Sequence, residues 1–114
     1  MLPRGTRRKQ KMVNLLNSHI IIDKNIAEEL FSNESYVQVI YYENDGKLMV
    51  ARDSDDMFKS FHKAKKELLK NKNLLGDKSI NIREMIIDND LDETNRSLEY
   101  KADTAMNVLN VFIK

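Results

Sequence analysis

Tyr36-Val37-Gln38-Val39-Ile40-Tyr41-Tyr42-Glu43-Asn44-Asp45-Gly46-Lys47-Leu48-Met49-Val50-Ala51-Arg52 is the stretch on which the reading of this chain turns. Tyr36 to Tyr42 and Lys47 to Arg52 are rich in β-branched, aromatic and long apolar side chains, which suit a pleated surface. Between them, Glu43, Asn44, Asp45 and Gly46 supply the Asx side chains and the glycine that a tight reversal demands. The pattern predicts a β-hairpin. The first strand is apolar or aromatic everywhere except Gln38, so both its faces are expected to be covered. A homodimer is a natural way to cover them.

Upstream, His19-Ile20-Ile21-Ile22 has the β-branched density of a buried strand. Asp23 is placed to cap a short helix in which Ile26, Ala27, Leu30 and Phe31 share one face. Downstream, Ser54 is the expected cap of a longer helix over residues 54–73, with Asp55 and Asp56 in its first turn. Its apolar stripe would be Met57, Phe58, Phe61, Ala64, Leu68 and Leu69, with Gly76 ending it. Lys63, Lys65, Lys66, Lys70 and Lys72 then fall late in the helix, near the negative end of its dipole, and His62 faces solvent. Beyond Gly76 two readings stay open. Residues 79–87 fit a strand by composition or a short helix by the spacing of Ile82, Met85 and Ile86. Residues 97–113 fit a helical stripe or a closing pair of strands around Asp103-Thr104; the asparagines and β-branched residues of 107–111 favour strands. The expected class is α+β: a small antiparallel sheet built on the central hairpin, with a covering amphipathic helix.

With 114 residues, 41% of them apolar and 32% charged, the chain is sized for one domain, residues 13–114, preceded by a basic arm over residues 1–12. Met12 is an alternative start. Nineteen Lys and Arg oppose eighteen Asp and Glu, so overall charge points to no nucleic-acid or membrane partner. The absence of cysteine excludes disulfides, thiolate metal sites and thiol nucleophiles, and fits a cytoplasmic setting. No apolar run approaches the ~20 residues of a membrane-spanning helix, and no apolar export segment follows the basic start.

Little in the pattern suits catalysis, and neither an enzyme nor a cofactor is expected. The three glycines stand alone at Gly5, Gly46 and Gly76, which rules out a phosphate-cradling loop or a dinucleotide fingerprint. His19 and His62 lie in different elements, and no serine has the elbow or histidine partner of a nucleophile. The most patterned segment is acidic: Asp88, Asp90, Asp92 and Glu99 occupy the first, third, fifth and twelfth positions of a calcium loop. Glu93 stands where that loop needs glycine, so these four are metal candidates only, and an acidic loop of turns is the preferred reading. At the other end Arg4, Arg7, Arg8, Lys9 and Lys11 form a basic cluster without an acid, suited to phosphate contact.

In order and spacing, residues 20–52 resemble the AbrB-type swapped-hairpin domain. The matching parts are Ile20-Ile21-Ile22, the segment Asp23-Lys24-Asn25-Ile26-Ala27-Glu28-Glu29-Leu30, the strand from Tyr36 to Tyr42, the Asp45-Gly46 turn and the strand from Lys47 to Arg52. The chain departs where the family carries Gly-Arg before the strand and Pro at the helix start, having Ser18-His19 and Asp23 instead. The resemblance implies a dimer that exchanges hairpins and contacts DNA through basic residues; Arg4, Arg7, Arg8, Lys9 and Lys11 would supply those contacts. The expected function is thus a non-enzymatic, dimeric DNA-binding transcriptional regulator. The alternative is an interaction module whose acidic segment meets a basic protein partner or a divalent cation.

Overall fold

A computed structural model describes residues 12–113. The basic arm with Arg4, Arg7, Arg8, Lys9 and Lys11 lies outside the described residues. Ten strands and three short helices follow in the order β1 (Val13–Leu16), β2 (His19–Ile22), α1 (Lys24–Phe31), β3 (Tyr36–Tyr42), β4 (Lys47–Arg52), α2 (Asp56–Phe61), β5 (Lys65–Leu68), β6 (Lys70–Asn71), β7 (Lys78–Asn81), α3 (Arg83–Asp88), β8 (Arg96–Ser97), β9 (Glu99–Asp103) and β10 (Val108–Phe112). All strand pairs are antiparallel, in two five-stranded sheets ordered β6-β7-β2-β1-β8 and β5-β3-β4-β10-β9. The class is α+β, as the composition of the elements implied.

The sheets share their margins. β5 and β6 are separated only by Leu69, and β8 and β9 only by Leu98; both leucines are buried, at 6% and 8% exposure. The Leu69 N–H donates to the Ser35 carbonyl (2.9 Å), and the Leu98 N–H to the Val13 carbonyl (2.9 Å). Each of these two strands therefore leaves one sheet and enters the other at a leucine, the way orthogonal sheets make corners. The inner faces enclose one core, which includes Leu15, Ile20 and Ile22 from the first sheet and Val37, Val50 and Leu109 from the second. Helix α1 adds Ile26, Ala27, Leu30 and Phe31 to that core, the four positions its spacing marked.

Local chemistry accounts for most of the boundaries. The central hairpin pairs Tyr42 with Lys47 across the predicted turn, where Gly46 takes φ 61°. Its two outer margins pair with β5 and β10 of the same chain. The strand expected at His19–Ile22 is β2, and it forms a second hairpin with β1, a strand the sequence reading did not assign. Asn17 and Ser18 turn it with φ of 50° and 65°, the doubly left-handed pair of a two-residue reversal. Asp23 caps α1 as expected, its Oδ1 accepting from the Ile26 N–H at 3.0 Å, while Oδ2 accepts from the Met12 N–H at 2.6 Å. Asp23→Ala removes both bonds; we expect a loss of about 1–2 kcal/mol, read as a lower urea midpoint with unchanged slope. In the loop between β6 and β7, Gly76 sits at φ 103°, where an added Cβ would lie 3.1 Å from Lys24 Cγ. Gly76→Ala is expected to lower stability by about 1 kcal/mol in thermal melts.

The helix expected over residues 54–73 is not formed. It is replaced by α2 and strand β5, and Gly76 ends no helix. The cap is Asp55, which accepts from the Phe58 N–H at 2.9 Å, whereas Ser54 Oγ donates to Glu34 Oε2 at 3.1 Å. Of the proposed stripe, Phe58 and Leu69 are buried, while Met57, Phe61 and Leu68 are 61%, 75% and 46% exposed. The edge of β3 supplies the reason: pairing with β5 satisfies a row of main-chain groups that a helix over the same residues would leave open. Helix α2 is too short to cover the hairpin: its one buried residue, Phe58, rests on the outer face of the second sheet beside Ala51 of the hairpin and Val108 of β10. Past Gly76 the chain uses both candidate readings in turn, β7 then α3, and residues 97–113 are strands reversing over 104–107.

Candidate functional site

Replacing the helix by a strand changes the meaning of five lysines. Lys63, Lys65, Lys66, Lys70 and Lys72 do not complement a helix terminus; they lie on or beside the strand that passes from one sheet to the other, and all five are exposed. Lys66 Nζ stands 4.5 Å from the centroid of the Tyr36 ring, itself 41% exposed, and 3.8 Å from Asp53 Oδ2. Lys59 Nζ reaches Asp53 Oδ1 at 4.0 Å. Glu67 is the one acid on β5 and β6. The result is a run of cationic groups broken by one acid, with an aromatic ring and the exposed Leu68 beside it.

Inward of this run is a cleft of about 550 Å³ between β3 and β5 on one side and α3 on the other. Its apolar wall includes Val39, Ile82 and Met85, and its charged groups include Glu67, Arg83 and Asp88. Lys65 Nζ and Glu84 Oε1 meet at 2.6 Å, joining β5 to α3. Hydrogen bonding to this partner holds the Glu84 carboxyl below the ordinary carboxylate range and raises Lys65. The contact is therefore complete at neutral pH and is lost as pH falls through the lowered Glu84 value.

His62 is not a solvent-facing helix residue. It terminates α2, stacks on Phe58 with ring centroids 4.2 Å apart, and shares a hydrogen bond between its Nδ1 and the Tyr42 hydroxyl. His19 opens β2, its Nδ1 against the Asn17 carbonyl oxygen at 2.8 Å. The two histidines do different structural tasks, His19 on a strand of the first sheet and His62 at the end of α2.

The acidic segment is dispersed. Asp88 ends α3 and borders the cleft, Asp90 is a left-handed turn residue at φ 52°, and Glu99 begins β9. Asp92 is engaged locally: its Oδ1 accepts from the Thr94 N–H at 2.9 Å and the Thr94 hydroxyl at 2.5 Å, which lowers its pKa. Arg96 closes the turn by donating to the Asp92 and Thr94 carbonyls at 2.9 and 2.8 Å. Among the described residues no three His, Asp or Glu side chains are gathered as a metal centre needs, so Asp88, Asp90, Asp92 and Glu99 are not brought together. No helix among these residues is long and apolar enough to cross a membrane.

In comparisons with protein-family models, curated proteins and solved structures, none matches this chain. The lysine strand was legible in the sequence as a charge run, but its spacing among apolar residues also satisfied a helix. Only the pairing of β5 with β3 places it on a sheet margin.

Proposed function

We propose that this protein is a non-enzymatic DNA-binding regulator that holds the phosphate backbone with the lysines of the strand joining the two sheets. One observation carries the reading: Lys63, Lys65, Lys66, Lys70 and Lys72 are all exposed on a single ten-residue path. Rigid elements present phosphate-binding side chains with less ordering cost than a free tail does. Asp53 and Glu84 neutralise part of this charge in the unbound protein, but both pairs are solvent-accessible and exchange readily for phosphate contacts. Arg4, Arg7, Arg8, Lys9 and Lys11, which lie outside the described residues, are further cations suited to phosphate contact. The AbrB-type resemblance of residues 20–52 supports the same class of partner, and a homodimer would double the number of phosphates engaged.

Such binding depends mainly on counterion release. A variant carrying Lys63→Ala, Lys70→Ala and Lys72→Ala spares the Lys65 and Lys66 contacts and removes three cations. Fluorescence anisotropy with duplex DNA is expected to show affinity reduced about tenfold or more at low salt, and a log–log salt slope shallower by about 2–3. Equal affinity and slope for the variant and the parent would move the interface away from this strand.

A further inference from the structure

The loop between β6 and β7 is held in one shape by its own polar groups. The Lys72 N–H donates to the Asp77 carbonyl at 2.8 Å, carrying the β6–β7 pairing one step further. Asn73 Oδ1 accepts from the Leu75 and Asp77 N–H groups at 2.9 and 3.3 Å, and Asn73 Nδ2 donates to Asp77 Oδ2 at 3.0 Å. Asp77 Oδ1 accepts from the Lys24 N–H at 2.9 Å, which ties the loop to the start of α1. Gly76 closes the reversal with a left-handed φ. Asn73 and Asp77 are thus committed to the base of the loop. What the tip presents to water is Leu74, fully exposed, and Leu75, 73% exposed. Among the described residues these two are the only adjacent pair of exposed large apolar side chains.

Cations flank this tip. Strand alternation sets Lys70 and Lys72 on one face of the β6–β7 ribbon and Lys78 on the other, and the Lys24 stem runs beside Gly76. Asp77 is the one acid from Lys70 to Asn81, and both its oxygens are engaged. We propose that the loop is a membrane-docking device that sets Leu74 and Leu75 below the headgroups of an anionic phospholipid bilayer, with Lys24, Lys70, Lys72 and Lys78 against the lipid phosphates. A protruding apolar tip with ammoniums one or a few residues behind it matches the layering of such a surface, acyl chains beneath phosphates. The flexible lysine stems let the charges stay at phosphate level as the leucines go deeper. Docking of this kind needs no membrane-spanning segment. A compact ligand needs a concave wall, which a tip does not provide, and nucleic-acid phosphates would leave both leucines in water. The inference does not rest on DNA binding: Lys70 and Lys72 serve either polyanion, so the leucines are what separates the two.

Vesicle co-sedimentation of the full chain in about 0.1 M salt tests it, with vesicles of phosphatidylcholine and phosphatidylglycerol at about 2:1 beside vesicles of phosphatidylcholine alone. The parent is expected to bind the mixed vesicles, and the neutral ones at least about tenfold more weakly. Leu74→Ser with Leu75→Ser changes side chains that already lie in water, so the thermal melt and duplex DNA affinity should stay as in the parent. Binding of this variant to the mixed vesicles should fall at least about tenfold. The chain has no tryptophan, so Leu74→Trp supplies a single reporter at the tip. Its emission should shift to the blue with mixed vesicles and be quenched by bromines placed on the acyl chains. Three results would overturn the proposal: a parent that does not bind the mixed vesicles, a double serine variant that binds them as tightly as the parent, or an introduced indole left unshifted and unquenched. Loss of duplex DNA affinity in the double serine variant, with vesicle binding unchanged, would likewise overturn it and assign the tip to nucleic acid.

Discussion

Phe31→Ala should lower the unfolding free energy by about 3–5 kcal/mol, the largest single loss among simple truncations of this chain. Phe31 is the last residue of α1 and is 2% exposed within the main core, alongside Leu30 at 0%. It belongs to a core cluster that draws strand side chains from both sheets, so little of the space left by truncation can be reclaimed without moving hydrogen-bonded ladders. Total stability for a domain of this size is about 5–15 kcal/mol, so the variant should melt well below the parent in thermal and urea denaturation. A loss under about 1 kcal/mol would mean that α1 is not seated in the shared core.

Arg52→Ala should cost about 2–3 kcal/mol, through hydrogen bonds rather than volume. Arg52 ends β4 and reaches back across the hairpin to the C-terminal turn of α1. Its guanidinium donates to the Leu30 carbonyl at 3.2 Å and the Ser32 carbonyl at 2.9 Å, two acceptors a helix end leaves open. It also contacts Glu34 Oε2 at 3.4 Å, a carboxylate whose side chain is 12% exposed. Removing the cation leaves Glu34 with the Ser54 N–H and hydroxyl as donors, at 3.3 and 3.1 Å. Arg52→Lys should recover less than half of the loss, because an ammonium cannot serve carbonyls and a carboxylate in the forked geometry of a guanidinium. A double-mutant cycle with Glu34→Gln separates the ion pair from the capping, and a coupling near zero would assign the whole effect to the carbonyls.

What the sequence conveyed depended on how local each signal was. The Tyr36 to Arg52 hairpin and α1 were readable because their turn and cap residues sit next to the elements they define. Asn17-Ser18 carried the same kind of information more weakly: neither residue is glycine, and the reversal is confirmed only by the pairing of Leu16 with His19. Residues 54–73 failed for a different reason. The spacing of Phe58, Phe61, Ala64 and Leu68 satisfies a helix, and nothing local reveals that β3 has a margin waiting for a partner. The strand transitions at Leu69 and Leu98 are likewise products of long-range pairing. The lysine strand and the cleft depend on those transitions, so the candidate site was visible in the sequence as residues but not as a surface. The acidic segment was visible as a pattern, yet Asp92 is engaged by Thr94, in a turn closed by Arg96.

The most direct test of the account is the salt dependence of duplex DNA binding by the full chain, measured beside variants that neutralise the strand lysines Lys63, Lys70 and Lys72 or the arm residues Arg4, Arg7 and Arg8. The account predicts a log–log slope of about −4 or steeper for the parent, and a slope shallower by about 2–3 when the strand lysines are removed. The arm variant should retain most of the strand's contribution. A parent that fails to bind at low salt, or a slope that only the arm variant changes, would contradict the assignment of DNA contact to the strand that joins the two sheets.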